Sequence, residues 1–308
     1  MVRPVYIEFE NAFYHVASRG INRQDLFLDS EDNNFFIALL RKLVLKFEIR
    51  LFAFCLMTNH YHLYLSTPNA NLSKFVKALN QAYAIYFLSK YPDKNGSVFK
   101  GRYMRRLVDG DSYSMTLIAY VHNNPHKLVT KIEDWRYSSY QSFFNPEARF
   151  DFIDYDFTMS NFAGSIKSFE EFHKYMKKTE WNPENHTIAK SFIGSEEFVE
   201  RIVNQYLDLE IITNEEILGM SYFRQKLRRD EILLKIRAMD LEAKLRVKFE
   251  IYILKEYCGY SLKELKSRYC KNTKTISELL RLFRKQLSVD KERQAILEEI
   301  LKTGILGT

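Results

Sequence analysis

The chain has 308 residues, with 46 Lys and Arg against 39 Asp and Glu, a formal net charge of +7. Hydrophobic residues make up 46% and charged residues 28%, which excludes general disorder and allows two domains, each with its own core. Cys55, Cys258 and Cys270 lie far apart with no CxxC pair, which disfavours a disulfide scaffold or a cysteine zinc site and fits a reducing compartment.

The first residues, MVRPVYIEFENAFYHV, carry no basic-then-apolar signal pattern. Tyr14 to Ser18 reads as a strand ending at the turn-former Gly20. Asp29 to Lys46 follows as a helix, with Phe35, Phe36, Leu39, Leu40 and Leu43 on one stripe and Asp29 or Ser30 as its N-cap. Arg50 to Leu56 and His60 to Leu65 are two strands separated by a hairpin-length gap. The uncharged run Leu51 to Ser73 is broken by Thr58-Asn59-His60, His62 and Pro68, so it falls short of the ~20 apolar residues of a membrane span. Asn71 to Lys90 is helical, Pro92-Asp93 and Asn95-Gly96 mark a loop, Arg102 to Val108 is a fourth strand, and Ser112 to Asn123 is a helix stopped before Pro125.

This βαββαβ order plus a helix predicts an α+β domain: a ferredoxin-like, four-stranded antiparallel sheet with helices on one face. Asn145-Pro146 and the acidic, aromatic run to Phe162 suggest a linker. From Ser195 onward the pattern is helical, with Lys244 to Tyr257, Ser261 to Arg268 and Thr273 to Leu287 spaced as in a helix-turn-helix. The expected domains are therefore 1–145, α+β; 146–200, an acidic linker region; and 201–308, all-α.

Charge is unevenly spread along this plan. Between Lys74 and Arg106 there are eight basic residues, including Lys100, Arg102, Arg105 and Arg106, against Asp93 alone. From Gln141 to Glu200 six basic residues face eleven acidic ones, and from Arg201 onward 22 face 16. Two basic regions around an acidic middle suit a protein whose two ends each meet a polyanion, although a solvated helix face accounts for a basic cluster about equally well.

His60-Tyr61-His62 lies in a strand, so both imidazoles point to one face and Tyr61 to the other. Two neutral imidazoles make half of a divalent metal site, and a hydrogen-bonded pair on a half-exposed sheet is the blander alternative. The helix Ser112 to Asn123 can present Tyr113, Tyr120 and Asn124 across that face. Tyr120 and Asn124 are four apart and share a helical side. Asn124 could offer an amide oxygen to Mg²⁺ or Mn²⁺, and a phenol near it could attack a phosphate whose charge the metal withdraws. Spacing alone does not choose between Tyr113 and Tyr120.

Together the segments resemble the single-tyrosine HUH transposases, and most the REP-associated tyrosine transposase branch. The residues that carry the likeness are Ala12-Phe13-Tyr14-His15-Val16, Ser18-Arg19-Gly20, Asp25-Leu26-Phe27, Met57-Thr58-Asn59-His60-Tyr61-His62-Leu63 and Phe99-Lys100-Gly101-Arg102-Tyr103. Tyr120-Val121-His122-Asn123-Asn124-Pro125 and Trp135-Arg136-Tyr137-Ser138-Ser139-Tyr140 complete the set, in family order across residues 1–140. The resemblance implies metal ligands at His60 and His62, a nucleophile at Tyr120 and a third ligand at Asn124, with Mg²⁺ or Mn²⁺ as cofactor. It also implies cleavage and rejoining of single-stranded, hairpin-bearing DNA through a 5′-phosphotyrosine, without nucleotide hydrolysis. Thr58 departs from the proline common before Asn-His, and His126-Lys127-Leu128 from the usual Val-Arg-Ala.

Gly259-Tyr260-Ser261-Leu262-Lys263-Glu264-Leu265 and Lys274-Thr275-Ile276-Ser277 more loosely resemble the DNA-binding domain of the replication initiator DnaA. That likeness implies a recognition helix over 273–287, with Lys274, Thr275, Arg281, Arg284 and Lys285 on duplex DNA. Single-strand contacts are expected from Arg19, Lys100, Arg102, Arg105 and Arg106. The leading expectation is a soluble, cytoplasmic, nucleoid-associated DNA strand transferase with no membrane partner, its assembly as a homodimer left open. A domesticated, non-cleaving DNA-hairpin binder is the second reading, and a single-stranded RNA binder a weaker third.

Overall fold

The structure is a computed structural model that describes residues 3–4, 7–188, 191–206, 217–218, 232–256, 260 and 262–302. The chain divides into Tyr6–Leu207 and a second unit of Met1–Val5 with Asp208–Thr308.

In the first unit, strand β1 (Ala12–Arg19) leads to helix α1 (Ser30–Lys46), then β2 (Arg50–Met57), β3 (His60–Thr67), α2 (Leu72–Lys90), β4 (Met104–Val108) and α3 (Gly110–Asn123). Asp29 caps α1 by accepting the Asp32 N–H at 3.0 Å, which satisfies one of the helix's unpaired first-turn donors. The strands lie in the order β2-β3-β1-β4, all neighbours antiparallel, as a ferredoxin-like sheet requires.

Alternation along β3 sorts the two faces. Tyr61 turns toward α1 and α2, where its hydroxyl donates to Asn80 at 2.6 Å and its ring lies 4.9 Å from that of Phe36. Tyr64 turns the other way, its hydroxyl 2.6 Å from Ser114 of α3. The helices therefore cover both faces rather than one: α1 and α2 lie over the aromatic core, and α3 packs on the opposite face. His60 and His62 share the α3 face with Tyr64.

The segment expected as an acidic linker is folded into this unit. It carries α4 (Tyr155–Ser160), α5 (Ile166–Thr179), the two-residue strands β5 (Thr187–Ile188) and β6 (Phe192–Ile193), and α6 (Glu196–Tyr206). β6 lies parallel to β4 and antiparallel to β5, which widens the sheet to six strands. Its acidic balance misleads because the charges of α5, such as Lys167, Glu171 and Lys177, lie outside. Phe169, His173 and Met176, at helical spacing, are buried. The first unit accordingly runs to about residue 207, not 145.

The Trp135–Tyr140 motif is stitched to the edge of β2. Leu56 N–H donates to the Tyr137 carbonyl at 2.8 Å, Trp135 Nε1 to the Leu56 carbonyl at 2.8 Å, and Ser139 N–H to the Phe54 carbonyl at 3.0 Å. These bonds cap an otherwise open sheet edge.

The second unit holds α7 (Ala243–Glu256), α8 (Leu262–Tyr269), α9 (Thr273–Leu287) and α10 (Lys291–Lys302). Ile276, Leu280, Phe283 and Leu287 form the buried stripe of α9, packed with Phe249, Ile253 and Leu265. Cys270 turns the chain between α8 and α9 at φ +51°, and Asn272 caps α9 by accepting from the Thr275 N–H at 2.7 Å. Gly259 and Ser261, two residues of the C-terminal motif, lie outside the described residues. Among the described residues no helix is long and apolar enough to cross a membrane.

Candidate active site

β3 begins at His60, directly after the turn that holds Asn59, and this fixes the first imidazole. His60 Nδ1–H donates to Asn59 Oδ1 at 2.7 Å, while the Asn59 amide nitrogen reaches the Arg23 carbonyl at 3.3 Å. Nε2 of His60 is left bare. Two residues on, His62 has its Nδ1 3.0 Å from Nε2 of His15 on β1, the two rings stacked with centroids 5.3 Å apart. The His60 and His62 rings are 5.0 Å apart and nearly perpendicular. Burial pushes all three imidazoles toward the neutral form: His60 is lowered to about 4, His15 to about 3, and His62 well below its usual value. The Arg19 guanidinium adds to the shift at His60 and that of Arg106 at His15.

Tyr120 faces this trio from α3. Its ring stands edge-on to those of His15 and His62, at 5.7 and 5.8 Å, and 5.8 Å from Trp181. Burial raises the phenol above its ordinary value, while the Arg106 cation and a hydrogen bond with the Asn124 side chain pull it down. The Asn124 amide nitrogen donates to the Tyr120 carbonyl at 2.9 Å. Tyr113 lies apart from the histidines, its ring 6.3 Å from that of His186.

A cavity of about 430 Å³ opens over these groups, lined by His15, His60, His62, Tyr120 and, at its rim, Arg19, Lys100, Arg102, Arg106 and Glu184. The Lys100 N–H donates to the Arg19 carbonyl at 2.8 Å, which seats the basic loop at the end of β1. Arg106 is largely buried, its Nε without a partner and its guanidinium 3.6 Å from Glu184. A buried, unpaired N–H is costly unless a ligand completes it, and beside a phenol a phosphate oxygen is the natural acceptor.

Arg105 departs from the expected set. It alternates with Arg106 along β4 and so points to the other face, where it is 7% exposed and ion-paired with Glu8 at 2.6 Å. That pair is a structural contact, not a place for DNA. Lys274 and Lys285 are exposed on α9, whereas the Thr275 hydroxyl is 2.8 Å from its cap Asn272. Arg281 pairs with Glu278 at 2.6 Å, and Arg284 pairs with Glu256.

His15 and Glu184 escape the sequence pattern. His15 sits in a recognisable motif, but only the pairing of β1 with β3, which sets Ala17 opposite His62, brings it to the site. Glu184 comes from the segment taken for a linker.

The histidine pair suits a divalent cation. Each ring has one nitrogen already committed to a neighbour, which holds the ring and leaves the other nitrogen for a metal. Among the described residues no three His, Cys, Asp or Glu side chains gather into a metal cluster, and Asn124, its amide nitrogen bonded to the Tyr120 carbonyl, is not among the residues that line the cavity.

Residues 8–124 match the model of the family described as "Transposase IS200 like". Over that stretch the chain is similar to this family of transposases. Among solved structures, a REP-associated tyrosine transposase bound to a REP hairpin is similar at 13% identity and TM-score 0.41, over 50% of this chain and 94% of that one. A candidate transposase from Deinococcus radiodurans R1 is similar at 24% identity and TM-score 0.29, over 40% of this chain and 95% of that one. The likeness rests on the family match over residues 8–124, not on these superpositions. No curated protein is a significant match.

Proposed function

We propose that the N-terminal unit cuts and rejoins single-stranded DNA through Tyr120, with His60, His62 and Asn124 holding a divalent cation. The observation that carries this reading is a half-buried phenol edge-on to His62 and its partner His15, inside a cavity that His60 also lines and Arg19, Lys100, Arg102 and Arg106 rim. Such a set exceeds what a passive hairpin binder needs.

In this mechanism the basic rim draws in the strand and Arg106 donates to a non-bridging oxygen of the scissile phosphate. A bound Mg²⁺ or Mn²⁺ would supply Lewis-acid polarisation of that phosphate and stabilise the leaving oxygen. The Tyr120 oxygen attacks phosphorus, its proton passing to solvent; the P–O3′ bond breaks, and the 3′-oxygen takes up a proton. The products are a 5′-phosphotyrosine and a free 3′-OH, and attack by a 3′-OH reverses the step. Since one ester replaces another, no nucleotide is consumed. Burial raises the phenol on balance, and the Arg106 cation and the Asn124 hydrogen bond oppose that rise.

The second unit, with α8 and α9 joined by a tight turn, is proposed to grip duplex DNA through Lys274 and Lys285 on α9. Hairpins of the kind bound by the REP-associated relative are the substrates to try first.

The test is incubation of the full chain with Mn²⁺ and labelled single strands bearing a hairpin, followed by denaturing electrophoresis. Wild type should form a covalent adduct, and Tyr120→Phe should form none while binding the same DNA with an unchanged Kd. An adduct in Tyr120→Phe, or its loss only in Tyr113→Phe, would move the nucleophile elsewhere. Binding without any adduct in wild type would favour a non-cleaving hairpin binder.

A further inference from the structure

His15 is fully buried, carries no assigned role, and makes its one side-chain hydrogen bond to a residue of the proposed metal pair. The logic of that bond is restrictive. Nδ1 of His62 is committed to His15, so Nε2 is the only nitrogen His62 can offer to a cation in the cavity. A metal-binding nitrogen must be bare, and a neutral imidazole carries a single proton. The His62 proton must then sit on Nδ1 and be donated to His15 Nε2. That nitrogen must itself be bare, which puts the His15 proton on Nδ1.

We propose that His15 is the positioning residue of the metal site: it accepts the Nδ1–H of His62 and thereby holds the His62 ring and tautomer in the ligating form. The inference rests on the metal-dependent reading above and adds a residue to it.

Two further observations support it. His60, the other ligand, is fixed in the same sense by the Asn59 carbonyl oxygen, so both rings would be held by an acceptor on Nδ1. And His15 Nδ1 has no hydrogen-bond partner among the described residues although it is buried. A buried imidazole with an orphaned nitrogen is poor material for a core, where an aliphatic side chain would cost nothing in lost hydrogen bonds. Its retention between β1 and α3 is accounted for by the acceptor it presents to His62. Ala17, paired with His62 across the ladder, leaves room for the rings to stack.

The experiment measures Mn²⁺ affinity of the full chain, without DNA, by isothermal titration for wild type, His15→Phe and His15→Gln. Phe keeps a planar ring but has no acceptor, whereas the Gln amide oxygen can accept the Nδ1 proton. His15→Phe should weaken Mn²⁺ binding about 10- to 100-fold, the range seen when such outer partners are removed, and His15→Gln should recover most of it. Imidazole ¹⁵N spectra of the Mg²⁺-loaded chain should show His62 protonated on Nδ1. Thermal unfolding of each variant, followed by circular dichroism, checks that it is folded. Equal Mn²⁺ affinity in all three folded proteins, equal losses in Phe and Gln, or a His62 proton on Nε2 would overturn the inference alone. Should His15→Phe not fold, the His62 tautomer and the His15→Gln affinity decide it. Failure of wild type to bind Mn²⁺ would overturn the metal reading and this inference together.

Discussion

The first unit contains two histidine clusters built from the same element, an imidazole–imidazole hydrogen bond of 3.0 Å, yet they do opposite things. In the His122–His173 pair every nitrogen is partnered. His173 Nδ1–H donates to the Phe169 carbonyl at 2.8 Å, His122 Nδ1–H donates to His173, and His122 Nε2 accepts from the Ser139 hydroxyl at 2.8 Å. Ser139 in turn accepts the Phe54 N–H at 3.0 Å, so the chain of bonds ties α5, α3 and the edge of β2 together. In the His15–His60–His62 cluster the chain is left open: His60 and His62 line a cavity, and His15 Nδ1 has no partner among the described residues. A closed chain of imidazoles ties elements together, and an open one leaves nitrogens for a ligand. What separates them is the count of committed nitrogens, not the residue type or the depth.

That contrast can be broken most sharply by alanine. His60→Ala and His62→Ala should each lower adduct formation at least about 100-fold, since loss of a ligand should cost no less than loss of its outer partner. Both should melt within a few degrees of wild type. His122→Ala and His173→Ala should show the reverse, with the adduct rate preserved below the melting point. Stability should fall by about 1–3 kcal/mol for the unpaired partner left behind, plus the cavity cost. Single-turnover cleavage and urea unfolding on the four variants decide it, and the idea fails if both pairs give the same pattern.

Acid provides a second, smaller separation. His173 is lowered by burial to about 4 from an ordinary 6.5, and His122 lies well below it. Between those limits the unfolded chain takes up protons that the folded chain refuses. Stability is therefore full above about pH 6.5 and declines as pH falls toward 4, by about 1.4 kcal/mol per pH unit for each such histidine. Replacing His173 with Leu should remove about one histidine's share of that slope in urea midpoints taken from pH 7.5 to 4.5. A flat wild-type profile would contradict the buried, neutral state of the pair.

Much of this was legible in the chain itself. Period-2 alternation put His60 and His62 on one face, and the helical spacing of Tyr120 and Asn124 put both on one side of α3. Turn residues bounded the four expected strands to within about two positions, while β5 and β6 went unforeseen. What escaped has two kinds of cause: contacts distant in sequence, and a local period that counting charges along the chain hides. His15 joins the site only through the register of β1 on β3, and Arg105 parts from Arg106 only because β4 shows alternate side chains to opposite faces. The 146–200 segment read as a linker because its net charge was averaged along the sequence. Phe169, His173 and Met176 carry its packing on a single stripe of α5.

The smallest expected effect concerns the basic residues, where exposure at the cavity separates them. Arg19, Lys100 and Arg102 are exposed around the cavity, whereas Arg105 is buried against Glu8 on the far face. A cation that meets a phosphate releases counterions and adds about −0.7 to the slope of log affinity against log salt for a single strand. Changing Arg19, Lys100 and Arg102 together to Gln should flatten that slope by about two, while the melting temperature stays near that of wild type. Arg105→Gln should leave the slope unchanged and lower stability, because Glu8 would keep a mostly buried carboxylate without its cation. Fluorescence anisotropy of a labelled single strand from low to high salt separates the two outcomes. A slope that flattens for Arg105→Gln as much as for each rim residue would mean that the strand crosses the α2 face of the sheet and not the histidine cavity.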